Sequence, residues 1–228
     1  MARLFSERPR TPEEAERFQH YFQKHGRYTA GVETRYDPSI ITAEATDQGL
    51  ATGFTVGTRF HSAPVIRLAD AKPLHLGHVL RADGRWRLLA FAPADDDGRA
   101  TGAVGRLCRR LAEDPASPIR RVTPPGADVD AVIDVRAIYQ ADHRDLAVDR
   151  LPPLLLPAVG RLGLTDYEKV FCPDLANGPD IFDHRGIDRS TGALVIVRPD
   201  QFVADVLALE DGDTLAAFFD RFMVPAPR

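Results

Sequence analysis

Two cysteines, a histidine pair and an aspartate run are the side chains of this 228-residue chain whose types and spacing invite a chemical reading. Cys108 and Cys172 lie far apart in sequence, so they make no CxxC pair and no disulfide scaffold. Thioredoxin-type redox work needs a low-pKa cysteine at the start of the helix after the first core strand, with a resolving partner nearby. Here the segment after Phe91 reads APADDDGRATG, with no cysteine. Cys108 falls two turns or more into the next helix, on its apolar stripe, and reads as an inert core residue. Cys172, between Phe171 and Pro173, has no evident His or Lys to activate it. His75 and His78 in PLHLGHV would share a face of a helix, but Pro73 and Gly77 argue against one, and along a strand the odd separation sends the rings to opposite faces. No metal site is therefore expected. Asp95, Asp96 and Asp97 before Gly98 read as a solvated turn rather than a cation site, and Arg120-Arg121 as surface.

Phosphate cradles need closely spaced glycines so that backbone amides can approach the anion. None of the 17 glycines begins a GxG triplet, so the chain by itself is not expected to hold FAD or NAD in the Rossmann manner. No GxSxG elbow surrounds any serine, which removes one hydrolase pattern without excluding others. With 29 Lys+Arg against 33 Asp+Glu there is no basic excess to attract a nucleic-acid backbone. MARLFSERPR carries charges and no apolar run, so no secretory signal is expected there. The most apolar stretch, LPPLLLPAVG, is short and broken by prolines, whereas a membrane span needs about 20 residues. These readings point to a cytoplasmic chain with neither nucleic-acid nor membrane partners.

The elements that would position these residues are legible in part. Thr11 as N-cap, Pro12 at the first helical position and Glu13 and Glu14 in the first turn announce a helix to about Lys24, which Gly26 is expected to stop. Phe18, Tyr21 and Phe22 give it an aromatic face, and a short helix of this kind implies a neighbour to cover them. From Arg27 to Gly57 the pattern fades into an extended connector. Strands are expected at PVIRLAD from Pro64, at Trp86 to Pro93, at Ala131 to Ile138, at Ala193 to Val197 and over FVADVLAL. Arg99 to Asp114 places Val104, Leu107, Cys108 and Leu111 at i, i+3, i+4 and i+7, an amphipathic helix. Loosely defined helical pieces are expected near 142–149 and 166–170. A closing helix from Asp213 to Phe222 carries Leu215, Phe218, Phe219 and Phe222, whose burial contributes about 6 to 12 kcal/mol before entropy is subtracted. The order from Trp86, β-α-β-α-β-β-α, is that of a thioredoxin-like α/β fold. The expected division is a helical arm and connector over 1–56 and a thioredoxin-like domain over 57–228. That fold order is also the sole support for a thiol oxidoreductase.

Four strings taken together resemble one family: YTAGVETRYDPS from Tyr28, GTRFHSAPVIRLADAKPLHLGHVLRADGRWRLLAF from Gly57, TPPGADVDAVIDVRAIYQ from Thr123, and RGIDRSTGALVIVRPDQFVADVL from Arg185. They look like the C-terminal region of the FAD-dependent phenol hydroxylase and 3-hydroxybenzoate 4-hydroxylase group. The resemblance implies a thioredoxin-like domain without redox cysteines that contributes to dimerisation. It also implies that FAD-binding and aromatic-substrate domains precede this region in family members, so no flavin- or substrate-binding residue carries over. A detached dimerisation module is the expected reading. The alternative is one subunit of a split monooxygenase that docks on an FAD-bearing chain, through Phe18, Tyr21 and Phe22. FAD and NAD(P)H would then enter only with that partner.

Overall fold

The computed structural model describes residues 11–227. The chain divides into two compact units, the first ending at Arg35 and the second running from Tyr36 to Arg228. Among its described residues the first holds one helix, α1 (Pro12–Thr29). It passes through Gly26 and ends where Gly31 takes the left-handed conformation, φ +68°, with its N–H on the Tyr28 carbonyl. The expected stop at Gly26 is thus displaced, because the turn that closes a helix needs a glycine at positive φ and Gly31 supplies it.

The second unit is built on a seven-stranded sheet. Its strands are β1 (Pro64–Arg67), β2 (Lys72–His75), β3 (Trp86–Phe91), β4 (Ile133–Ile138), β7 (Val170–Pro173), β8 (Ala193–Val197) and β9 (Val203–Leu207), in the order β2-β1-β7-β4-β3-β8-β9. A separate hairpin, β5 (Ala158–Val159) with β6 (Leu164–Thr165), stands outside it. Strands β3 and β4 run parallel, joined by α2 (Ala103–Glu113) and the short α3 (Pro118–Val122). β8 returns antiparallel beside β3, β9 completes the hairpin, and α5 (Gly212–Asp220) closes the chain. The four strands β4-β3-β8-β9 with their crossover and closing helices carry the thioredoxin-like order expected from the sequence. The helix between β4 and β8 is reduced to one capped turn, α4 (Ile181–His184), with Asp180 accepting from the Phe182 amide.

Apolar layers cover both faces of the sheet. Alternation along β3 sends Leu88 and Ala90 toward α2 and α5, and Leu89 and Phe91 toward the opposite layer. On the first face Trp86 packs against Phe218, Phe219 and Phe222 of the closing segment, with ring centroids 5.8, 5.4 and 5.0 Å away. The second face is covered by Phe54, Val56, Phe60, Leu76, Ile181 and Phe182. Residues 36–56, expected as part of an arm and connector, thereby lie within the second compact unit, with Ala43, Ala51, Phe54 and Val56 buried. They bury isolated apolar residues rather than a periodic stripe.

Two helical expectations are corrected. Residues 166–170 form a turn leading into β7, because Val170, Phe171 and Cys172 join β1 and β4 as a buried strand. Over 142–149 the chain makes turns, and only Val148–Arg150 winds into a 3₁₀ turn. Prolines 152, 153 and 157 follow directly and deny a longer helix its amide donors.

Candidate functional site

The loop between β3 and α2 occupies the place where a thioredoxin-type enzyme keeps its reactive cysteine, and here a carboxylate fills it. Asp96, buried, accepts the Gly98 amide at 3.0 Å through Oδ1 and the Val104 amide at 2.8 Å through Oδ2. It thereby caps the first turn of α2, whose own N-cap residue, Gly102, has no side chain to do so. Gly102 is required by this arrangement, since a Cβ there would stand 2.1 Å from Asp96 Oδ1. The middle member of the aspartate run, expected as a solvated turn, is therefore an internal cap. Asp95 and Asp97 are exposed.

Beside the loop lies a polar cleft of about 470 Å³, bordered by Asp95, Asp97, Arg99, Arg106, Ser190 and Glu210. Its cations are engaged locally: Arg99 pairs with Asp97 at 3.0 Å, and Arg106 donates to the Thr101 carbonyl at 2.8 Å. Because the helix terminus already holds the Asp96 carboxylate, an incoming anion would meet negative charge instead of free amides.

Both cysteines are buried in the core that α2 and β7 share. Burial pushes each thiol up to about 12, with the charge of Asp96 adding to the effect at Cys108 and that of Asp142 at Cys172. Burial thus disfavours the thiolate, the form in which a cysteine acts as a nucleophile. The histidine pair differs from its expected geometry. His75 ends β2 and leads straight into the 3₁₀ turn Leu76–Val79, which brings the rings to a centroid separation of 5.6 Å rather than to opposite faces. Among the described residues no group of three or more His, Cys, Asp or Glu side chains is placed to hold a metal ion.

Charged and polar residues of the strings that carry the family resemblance fasten connections. Arg198 and Asp200 pair at 2.6 Å, and the Arg198 guanidinium donates to Thr42 Oγ1 and lies 4.6 Å from the centre of the Tyr36 ring. Gln201, at φ +68°, accepts from Arg59 at 2.6 Å and donates to the Leu80 carbonyl at 2.5 Å. Arg189 binds Asp180, Asp183 and Gln140 together.

At the opposite end of β3 from the Asp96 loop, residues of two of these strings meet the segment from Asp166 to Lys169 in a buried charge cluster. The Lys169 ammonium lies 2.6 Å from Asp130, 2.7 Å from Asp134 and 3.3 Å from Asp166. Arg136 donates to Asp134 at 2.8 Å, and Arg87 Nε lies 3.0 Å from the same carboxylate without hydrogen-bond alignment. Burial pushes the Asp134 carboxyl up, but Arg136, Lys169 and Arg87 outweigh it and hold the group below the ordinary carboxylate range. Sequence reasoning missed this cluster because its members come from three separated segments. The alternation of charged residues in IDVRAI was the visible trace, since both charges sit in a strand otherwise wholly apolar.

The aromatic face of α1 is present as expected in kind. Phe18 and Phe22 stack with centroids 6.0 Å apart, Phe22 is 61% exposed, and Tyr21 is also exposed.

Comparison with known proteins gives a concordant result. The family model described as the C-terminal dimerisation domain of phenol hydroxylase matches residues 34–227. A 3-hydroxybenzoate 4-monooxygenase of Comamonas testosteroni is 58% identical over 207 residues, 90% of this chain and 32% of its own length. The FAD-dependent monooxygenase terD of Aspergillus terreus is 35% identical over 90% of this chain and 34% of its own length. This chain thus spans about a third of the curated relatives it matches. Among solved structures, the thioredoxin domain of a Bacteroides vulgatus thiol-disulfide oxidoreductase overlaps 74% of this chain and 98% of its own, at 12% identity and a TM-score of 0.43.

Proposed function

The chain belongs to the phenol hydroxylase C-terminal dimerisation domain family, and from that premise we propose that it is a self-association module without catalysis of its own. The match over residues 34–227 carries this reading. The Asp96 cap and the buried thiols support it, because they leave the thioredoxin-like frame with no redox nucleophile. In this reading FAD and NAD(P)H act on catalytic domains outside these residues, and the whole assembly hydroxylates a phenol or hydroxybenzoate, as the names of the relatives suggest. Titration of the purified chain with FAD tests the non-catalytic part. The expected result is no shift in flavin absorbance or fluorescence and no NADPH oxidation with a phenol present; stoichiometric flavin binding would overturn it.

A second reading is favoured by α1, which carries Phe18, Tyr21 and an exposed Phe22. In it the arm, proposed as a separate docking element, joins this chain to an FAD-bearing hydroxylase chain. Co-expression with the flavoprotein portion of such an enzyme tests this. A complex that forms with the unaltered chain and is lost with Phe22→Asp supports the reading, and failure of the unaltered chain to bind removes it.

A further inference from the structure

The hairpin of β5 and β6 gathers three exposed large apolar residues within six positions, whereas Ile40, Leu175 and Val224 elsewhere in the second unit are exposed singly. Its strands pair with each other and with no strand of the main sheet. Leu162 is 83% exposed, Leu164 65% and Tyr167 51%, and none of the three belongs to either core cluster. A two-stranded ribbon of this length is marginal in water by itself. This one is nevertheless fastened at its roots. The Gly160 amide donates to both oxygens of Asp128 at 3.0 Å, and the Asp166 amide donates to the Pro157 carbonyl at 2.8 Å. The Asp166 carboxylate reaches the buried Lys169 ammonium, which Asp130 and Asp134 also hold.

A buried ion cluster is a poor device for stability alone, since desolvation offsets most of the attraction. What it does supply is geometry: Lys169, directly before β7, also holds the carboxylate of Asp166, directly after β6. We propose that the β5–β6 hairpin is a preorganised contact covered by a second copy of this chain, with Leu162, Leu164 and Tyr167 at its centre and the Lys169 cluster as its clamp. The proposal rests on the dimerisation reading above and adds the place where the copies meet. A second copy is the occupant because the matched family is a dimerisation domain, and because a two-fold axis through the tip sets the same apolar residues of each copy against one another. Three large apolar side chains within six positions of an element that builds no core are what such a contact needs at its centre. Holding the hairpin in place beforehand lowers the ordering cost of association.

Sedimentation velocity over a concentration series, on the full chain and on Leu162→Asp/Leu164→Asp, tests it. The unaltered chain is expected to dimerise and the double variant to weaken the dimer by about tenfold or more, with an unchanged circular dichroism spectrum because both positions are exposed. If the double variant loses its fold signal, Tyr167→Ser is the milder variant, with the same expected loss of dimer. A folded hairpin variant that dimerises as tightly as the unaltered chain overturns the placement of the contact while leaving the dimerisation reading intact. A monomeric unaltered chain overturns that reading itself.

Discussion

Asp96 reaches the Val104 amide at 2.8 Å and so closes the N-terminus of α2 with a carboxylate supplied from the preceding loop. One side chain thereby orders the turn at Gly98, caps the helix and removes the free amides that a thiolate or an anionic ligand would use. Replacing Asp96 by Ala leaves the Gly98 and Val104 amides unpartnered, at a cost of about 1–3 kcal/mol. Urea denaturation is expected to show the midpoint falling with the slope unchanged. A variant as stable as the original would mean that the cap is incidental.

The thiols give a sharper test of the missing redox chemistry. With both held near 12 by burial, the native protein is expected to leave Cys108 and Cys172 unmodified by a thiol reagent at neutral pH, and to react at both once denatured. Rapid labelling of either cysteine in the folded protein would reopen a thiol-based activity.

Asp205 in β9 sets a pH dependence. Burial pushes its carboxyl up to about 7, partly offset by the Val206 amide at 2.8 Å and by the charge of Arg221, while Asp47 and Asp211 push the same way as burial. In the unfolded chain a carboxyl of this kind ionises near 3.9. The folded form therefore holds the proton longer, so stability from this group is complete below about pH 4 and falls by about 1.4 kcal/mol per pH unit until about pH 7. Asp205→Asn is expected to raise the melting temperature at pH 8 and to change it little at pH 4. An equal gain at both would assign the effect to packing.

Much of this architecture is visible in the sequence wherever the apolar period is clean. The stripe of α2, the β-branched run of β8 and the phenylalanines of α5 each lie where periodicity places them. Legibility fails where burial is achieved without period. Phe54 and Phe60 are single anchors in irregular chain, and β7 owes its strand to the neighbours on either side rather than to its own short run. The Asp96 cap was hidden because its partners are backbone amides, which carry no sequence signature. The reading of His75 and His78 went astray by assuming an unbroken strand across Leu76. The family strings carry a different kind of signal, because they encode hydrogen bonds between distant segments, such as Arg198 to Thr42 and Arg59 to Gln201, which no local rule reports.

Lys169 pairs with both Asp130 and Asp134, so Lys169→Met leaves these buried carboxylates with only their arginine partners. Breaking such a cluster from one side costs about 3–5 kcal/mol. Chemical denaturation is expected to show that loss at neutral pH. A cost below about 1 kcal/mol would place the cluster in the weak regime of exposed ion pairs.

Self-association is the claim on which the rest depends, and the solution mass of the unaltered chain tests it most directly. Sedimentation equilibrium is expected to return about twice the 25.1 kDa of one chain at micromolar concentration. A single-chain mass that persists into the high micromolar range would contradict it.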